Sequence, residues 1–204
     1  MNLRELTGYK QHPAYQTAQA TFSDKIDRDD DFYGSQDLRA KQLRGWTRFM
    51  KENGFEHLGS GAYGGAYEKP GYPWVFKVFT SDPAYLAFFK YVRQNQNNPN
   101  LPKTKGNVIK INDDTFAVRI EKLQPIGREL FLDVQYYINL MLREENIDPE
   151  SYGATELAKA KAAYPGIYEI VVALNSMPFQ TDLHQENIMA RGNVPVIVDP
   201  VADL

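Results

Sequence analysis

Between Gly54 and Phe79 the chain reads GFEHLGSGAYGGAYEKPGYPWVFKVF. No other stretch constrains the fold as tightly, because short apolar or aromatic runs punctuated by Gly and Pro suit antiparallel strands joined by tight turns. Three strands fit it. The period then changes: DPAYLAFFKYVRQNQ, opened by Asp82 and Pro83, sets Tyr85, Phe88, Phe89 and Val92 on one apolar face and predicts a helix over 84–96. NVIKIND and TFAVRIEKL predict two further strands across an Asp113-Asp114 turn. Residues 129–145 and 154–175 carry helical periodicity, with Ile167, Ile170, Val171 and Leu174 as core positions. TDLHQENIMARGNVPVIVDP, residues 181–200, reads as a loop followed by a β-hairpin. This order predicts an α+β fold in two lobes: a small antiparallel N-lobe sheet over about 54–123 and a helical C-lobe over about 124–204.

A chain of 204 residues with 43% hydrophobic content can bury the core of one domain, or of one domain plus an arm. Leu43, Trp46 and Met50 predict a helix leading into the sheet, with Asp37 as its cap and Asn53-Gly54 as its stop. SDKIDRDDDFYGSQD, residues 23–37, is acidic and turn-rich and reads as a linker. Ahead of it, a short helix at Leu3 to Leu6 and the scattered Tyr9, Tyr15 and Phe22 suit an arm packed on its own domain or on a partner, where it would mediate association. The expected division is arm and linker over 1–35 and main domain over 36–204. Lys and Arg total 23 against 26 Asp and Glu, and basic residues gather only in local pairs such as Lys103 and Lys105, so nucleic acid is not an expected partner. The absence of cysteine excludes disulfides, thiolate metal sites and a cysteine nucleophile. MNLRELTGYK has no apolar signal core and no stretch is long enough to span a bilayer, so the expectation is a cytoplasmic protein without a membrane partner.

Chemistry concentrates in two places. The run Gly59-Ser60-Gly61-Ala62-Tyr63-Gly64 is a glycine-rich hairpin turn, and Lys77 in WVFKVF lies on the strand after it, placed to reach the α- and β-phosphates of a nucleotide under the turn. Glycines matter there because backbone N–H groups approach phosphate closely only where no side chain intervenes. Tyr63 is either an aromatic lid over the phosphates or a solvent-facing hairpin residue. In the last stretch, phosphoryl transfer needs hard oxygen ligands for Mg²⁺, supplied by an Asn amide and an Asp carboxylate, and a separate Asp to orient the attacking hydroxyl and take its proton. Asn187, Asp199 and Asp182 match those jobs in the expected order. The strand end at Glu121 to Leu123 lies between the two halves like a hinge, with Glu121 and Leu123 as candidate nucleotide contacts.

On these motifs residues 54–204 resemble the protein-kinase-like fold, in a minimal two-lobed form with a truncated helical C-lobe. GSGAYGGAY is similar to the glycine-rich loop, VFK to the strand lysine, DLHQEN to the catalytic loop and VDP to Asp-Phe-Gly. The form D-L-H-x-x-N resembles the catalytic loop of aminoglycoside phosphotransferases and their relatives more than that of eukaryotic protein kinases. The whole set looks nearest to the early serine/threonine kinases of T7-like bacteriophages, through DxHxxNIM, GxVPxxxDPV and GxGxxxxAY. The resemblance implies ATP and Mg²⁺ as cofactors, with Lys77 and Asp182 catalytic and His184 supporting either the loop geometry or the transferred phosphate.

The chain departs from the pattern in places. Gln180 and Thr181 stand where His and Arg would precede the catalytic Asp, and five residues follow Asp199, so activity without prior phosphorylation of an activation segment is expected. The helix over 84–96 contains no Glu to orient the lysine, a role left to Asp82 or Glu68. The implied activity is transfer of the γ-phosphoryl group to a hydroxyl, on Ser or Thr of a protein, in the host cytoplasm if the chain is phage-encoded. The alternatives are a catalytically inactive pseudokinase acting as a structural interaction module and a small-molecule kinase of the aminoglycoside type.

Overall fold

The structure is a computed structural model and describes residues 34–80, 82–148, 150–177 and 179–202. The arm with Tyr9, Tyr15 and Phe22, its short helix and the acidic stretch as far as residue 33 lie outside the described residues. The architecture is α+β and divides into two compact units. The first takes in the described residues up to Asp82 together with Thr104–Lys122, and the second Pro83–Lys103 with the described residues from Leu123 onward.

The first unit begins with α1, Gly34–Glu52. The helix starts three residues before Asp37, which therefore lies within it and does not cap it. Nothing in Gly34-Ser35-Gln36 breaks a helix once packing anchors the turns that follow. At the other end the chain stops where Asn53-Gly54 predicts. Gly54 takes φ +78°, its N–H donates to Lys51 O at 3.0 Å, and Phe55 N–H donates to Met50 O at 3.0 Å. This is a Schellman stop, and Phe55 and Met50 supply its apolar contact within one buried cluster. Beyond it, β1 (Glu56–Ser60), β2 (Gly64–Glu68), β3 (Trp74–Thr80), β4 (Ile109–Lys110) and β5 (Thr115–Glu121) form an antiparallel sheet in the order β1-β2-β3-β5-β4. Trp46, Phe49 and Met50 of α1 pack with Tyr67, Phe76, Val78, Ile109 and Ala117 on one face of it. Trp46→Ala would cost about 3–5 kcal/mol and undock the helix.

The second unit holds α2 (Pro83–Gln94), α3 (Arg128–Leu142), α4 (Tyr152–Ala163) and α5 (Pro165–Asn175). The periodicity over 154–175 is interrupted, because Pro165 lacks the N–H a continuous helix requires and instead opens α5 as its first residue. Ile167, Ile170, Val171 and Leu174 are buried as expected. Although it follows the sheet in sequence, α2 belongs by packing to the second unit and buries Tyr85, Phe88, Phe89 and Val92. The helix on the first unit's sheet is α1. Short strands complete the second unit. The strands β8 (Ile188–Arg191) and β9 (Val194–Ile197) form a hairpin turning at Gly192 with φ +60°, β6 (Gln124–Pro125) pairs with β8, and β7 (Gln180–Thr181) pairs with β10 (Val201–Ala202). The segment 98–101 braces this hairpin, since Asn100 Nδ2 donates to Pro195 O at 2.8 Å and the Arg191 guanidinium donates to Pro99 O and Leu101 O at 2.7 and 3.1 Å. Among the described residues no helix is long and apolar enough to cross a membrane.

Candidate functional site

The glycine-rich run falls across the β1–β2 turn. Gly59 and Ser60 end β1, Gly61 N–H donates to Gly64 O at 2.9 Å, and Tyr63 O accepts from Thr80 N–H at 2.8 Å. That last bond ties Tyr63 to β3 and leaves it half-buried, so the exposed tip is Gly61-Ala62. The glycines differ in why they are glycine. A Cβ on Gly64 would lie 2.7 Å from Val78 O and 3.0 Å from Phe79 Cβ, and one on Gly65 would lie 2.6 Å from the Tyr67 hydroxyl oxygen. Packing accounts for both. A Cβ on Gly59 or Gly61 would meet nothing within 4 Å, and neither residue has the positive φ that favours glycine. Their bare backbone is open to a ligand.

Lys77 sits in the middle of β3, opposite Ala66 on β2 and Val118 on β5, and Ala66 in turn lies opposite Gly59. Directly paired residues share a sheet face, so Gly59, Ala66, Lys77 and Val118 form one row on the face turned away from α1. On the β2 side of Lys77 the row holds the two smallest residues available, Ala66 next to it and Gly59 one strand further. Glu68, two positions from Ala66 and on the same face, is held by an ion pair with Lys122, a residue the sequence reading passed over. Lys122 is the last residue of the first unit, with Glu121 paired to Trp74 on one side and the half-buried Leu123 on the other. One of the two acids suggested for orienting Lys77 thus has a different cation at its carboxylate.

In the second unit the structure gathers the three oxygen-bearing residues of the last stretch by hydrogen bonds of the main chain. Asp182 N–H donates to Pro200 O at 2.7 Å, and Val198 N–H donates to Asn187 O at 2.9 Å. Asp199, between Val198 and Pro200, is consequently bracketed by the other two residues. The Asn187 side chain, 9% exposed, closes the loop by donating from Nδ2 to Asp182 O at 2.8 Å. His184 caps the short 3₁₀ turn Gln185–Asn187: its Nδ1 accepts from Glu186 N–H at 3.2 Å, and its Nε2 lies 2.9 Å from Asn187 Nδ2 and 3.6 Å from Asp182 Oδ2. A neutral imidazole carries one proton. With Nδ1 accepting, Nε2–H faces the Asp182 carboxylate. With Nε2 accepting from Asn187, the bond to Glu186 is given up. In both tautomers the ring is engaged by its own loop.

The Asn187 amide orientation is set by the Asp182 carbonyl, which requires a donor. Its Oδ1 is the end that this bond does not use. Nor do any three His, Cys, Asp or Glu side chains of the described residues gather as a metal-holding group. The donor set at this loop is therefore one amide oxygen and the Asp199 carboxylate, both hard. Mg²⁺ fits such a set when phosphate oxygens and water complete its shell, because it is seldom caged by protein alone. A cavity of about 580 Å³ lies elsewhere in this unit, at the asparagine-rich turn around Asn95, Asn98 and Asn100, and none of Asp182, Asn187 and Asp199 lines it.

No protein-family model matches this chain, and no curated protein matches it. Among solved structures it is similar to the streptomycin-ATP-APH(2")-IIa ternary complex, at 15% sequence identity and a TM-score of 0.32, over 78% of this chain and 72% of that one. The residue assignments rest on this chain's own geometry.

Proposed function

We propose that this chain is an ATP- and Mg²⁺-dependent phosphotransferase of the protein-kinase-like kind, passing the γ-phosphoryl group to a hydroxyl of a serine or threonine in a protein. The observation that carries the reading is the bracketing of Asp199 by Asp182 and Asn187, with the Asn187 amide nitrogen committed to the Asp182 carbonyl. A capping Asp and a turn Asn need no such mutual arrangement. In this reading Asn187 and Asp199 hold Mg²⁺, which when bound neutralises phosphate charge. Asp182, about half exposed, orients the acceptor hydroxyl and takes its proton. His184 keeps the loop in shape through its ring, which engages Glu186 and Asp182 in one tautomer and Asn187 in the other. In the first unit the open backbone at Gly59 and Gly61 receives phosphate oxygens, and Lys77, in the row of Gly59 and Ala66, grips them as a point charge. Glu121 and Leu123 are assigned to the nucleotide's base.

Incubation with γ-labelled ATP, Mg²⁺ and a cell lysate, beside a lysate-free control, tests the proposal. Label on lysate proteins that disappears with Asp182→Asn is the expected result. A wild-type protein that binds no nucleotide would overturn the enzyme reading in favour of an interaction module, and label found only on small molecules would overturn the protein substrate.

A further inference from the structure

The first strand carries a device that decides what stands in the row of Lys77, one strand beyond Ala66. Pairing of β1 with β2 runs Glu56 to Glu68 and His57 to Tyr67, then shifts by one residue, so that Gly59 lies opposite Ala66 and Ser60 opposite Gly65. Leu58 is the extra residue of a β-bulge and is 49% exposed. In an unbulged strand Leu58 would pair with Ala66, because side chains alternate with period two. A leucine would then enter Lys77's row on the face where Gly59 and Ala66 now leave room. The bulge also turns Ser60 to the opposite face, together with His57. There His57 Nε2 and Ser60 Oγ meet at 2.7 Å, a contact that residues three apart on a regular strand cannot make. The His57 ring lies 5.3 Å from that of Tyr67, and the Tyr67 hydroxyl, over Gly65, is bonded to Thr47 Oγ1 of α1 at 2.9 Å.

We infer that His57 is a positioning residue that clamps the register of the glycine-rich hairpin: its bond to Ser60 holds the bulge at Leu58, and the bulge keeps a glycine in place of a leucine in the row of Lys77. The inference rests on the nucleotide-binding reading of that row. Its register half stands apart, because β1 is an exposed edge strand whose pairing with β2 has few other constraints.

The experiment is a cycle in the full-length protein, with ATP and Mg²⁺ as the probe and thermal unfolding as the check on folding. His57→Ala and Ser60→Ala should each weaken ATP binding about three- to tenfold, the scale of one hydrogen bond's net contribution, and His57→Gln, which can still reach the Ser60 hydroxyl, should recover most of the loss. Leu58→Gly alone should bind as the wild type does. In the Leu58→Gly background His57→Ala should cost nothing, since a slipped strand then brings a glycine to the same row. A loss of equal size in both backgrounds, or no loss in either, overturns the inference. Cross-strand NMR contacts read the register directly: Gly59 with Ala66 in the wild type, Leu58 with Ala66 populated in His57→Ala. If the wild type binds no ATP the proposed function fails, and the NMR contacts then decide the clamp alone, with an unchanged register in His57→Ala overturning it.

Discussion

Asn187 and Asp182 are joined side chain to main chain, the Asn187 amide nitrogen donating to the Asp182 carbonyl at 2.8 Å. One bond thereby does two things. It fixes where the Asp182 backbone turns, and it determines which end of the Asn187 amide is left for a ligand. An aspartate in its place would supply oxygen but no donor.

Asn187→Asp should for that reason be worse than charge counting suggests. The Asp182 carbonyl loses its donor in a part-buried loop, at a cost of about 1–3 kcal/mol, while an added carboxylate alone would favour a cation. Reduced thermal stability without metal, partly restored by Mg²⁺ with ATP, is the expected pattern. Stability unchanged from wild type would show that the bond contributes nothing to the loop.

The two aspartates should separate by when each acts. Asp199→Asn should weaken Mg²⁺-dependent ATP binding and turnover together, because metal is held before reaction. Asp182→Asn should leave affinity nearly intact and lower the transfer rate by about 10²-fold or more, the size of a general-base contribution. Lys77→Ala should follow the Asp199 pattern. Nucleotide affinity with and without Mg²⁺, beside single-turnover transfer, reads both quantities.

Glycine substitutions should divide the hairpin by cause. Gly64→Ala places a Cβ 2.7 Å from the Val78 carbonyl oxygen, so it should destabilise the fold by about 1–3 kcal/mol. Gly59→Ala and Gly61→Ala meet no protein atom within 4 Å and should leave unfolding within about 0.5 kcal/mol of wild type while weakening nucleotide binding. Chemical denaturation and ATP titration on the same three variants make the comparison.

Tyr164, at the junction of α4 and α5, offers a titration of its own. Burial first, and then its hydrogen bond to the Asp133 carboxylate at 2.8 Å, push its phenol up to about 12. A raised folded-state value means the group's contribution to stability is complete below the ordinary tyrosine range near 10 and is lost as pH rises through about 12. Burial raises Tyr67 and Tyr91 as well, and Glu156 raises Tyr152, so ultraviolet titration should show several tyrosines ionising above the ordinary range, and the latest amplitude should fall by one tyrosine in Tyr164→Phe. A late amplitude undiminished in the variant would show that Tyr164 is not among them.

Much of this was legible from the chain alone. The apolar runs punctuated by Gly and Pro after Gly54, the helical face of Tyr85, Phe88, Phe89 and Val92, the Asn53-Gly54 stop and the loop-then-hairpin at 181–200 all report local preferences, which neighbouring residues settle among themselves. Lys77 on the strand after a glycine-rich turn and the ordered Asp182, Asn187 and Asp199 could be found the same way. Tertiary structure alone decided the rest. Sequence periodicity says that α2 has an apolar face but not what covers it, and packing assigned that face to the second unit while α1, earlier in the chain, covered the sheet. The pairing of Glu68 with Lys122, the bracketing of Asp199 by hydrogen bonds to Asn187 and Asp182, and the one-residue shift at Leu58 are long-range choices among partners of similar local merit. Strand register in particular leaves composition and periodicity unchanged when it slips, so only the competition among cross-strand bonds and side-chain packing determines whether a glycine or a leucine stands opposite Ala66 in the row of Lys77.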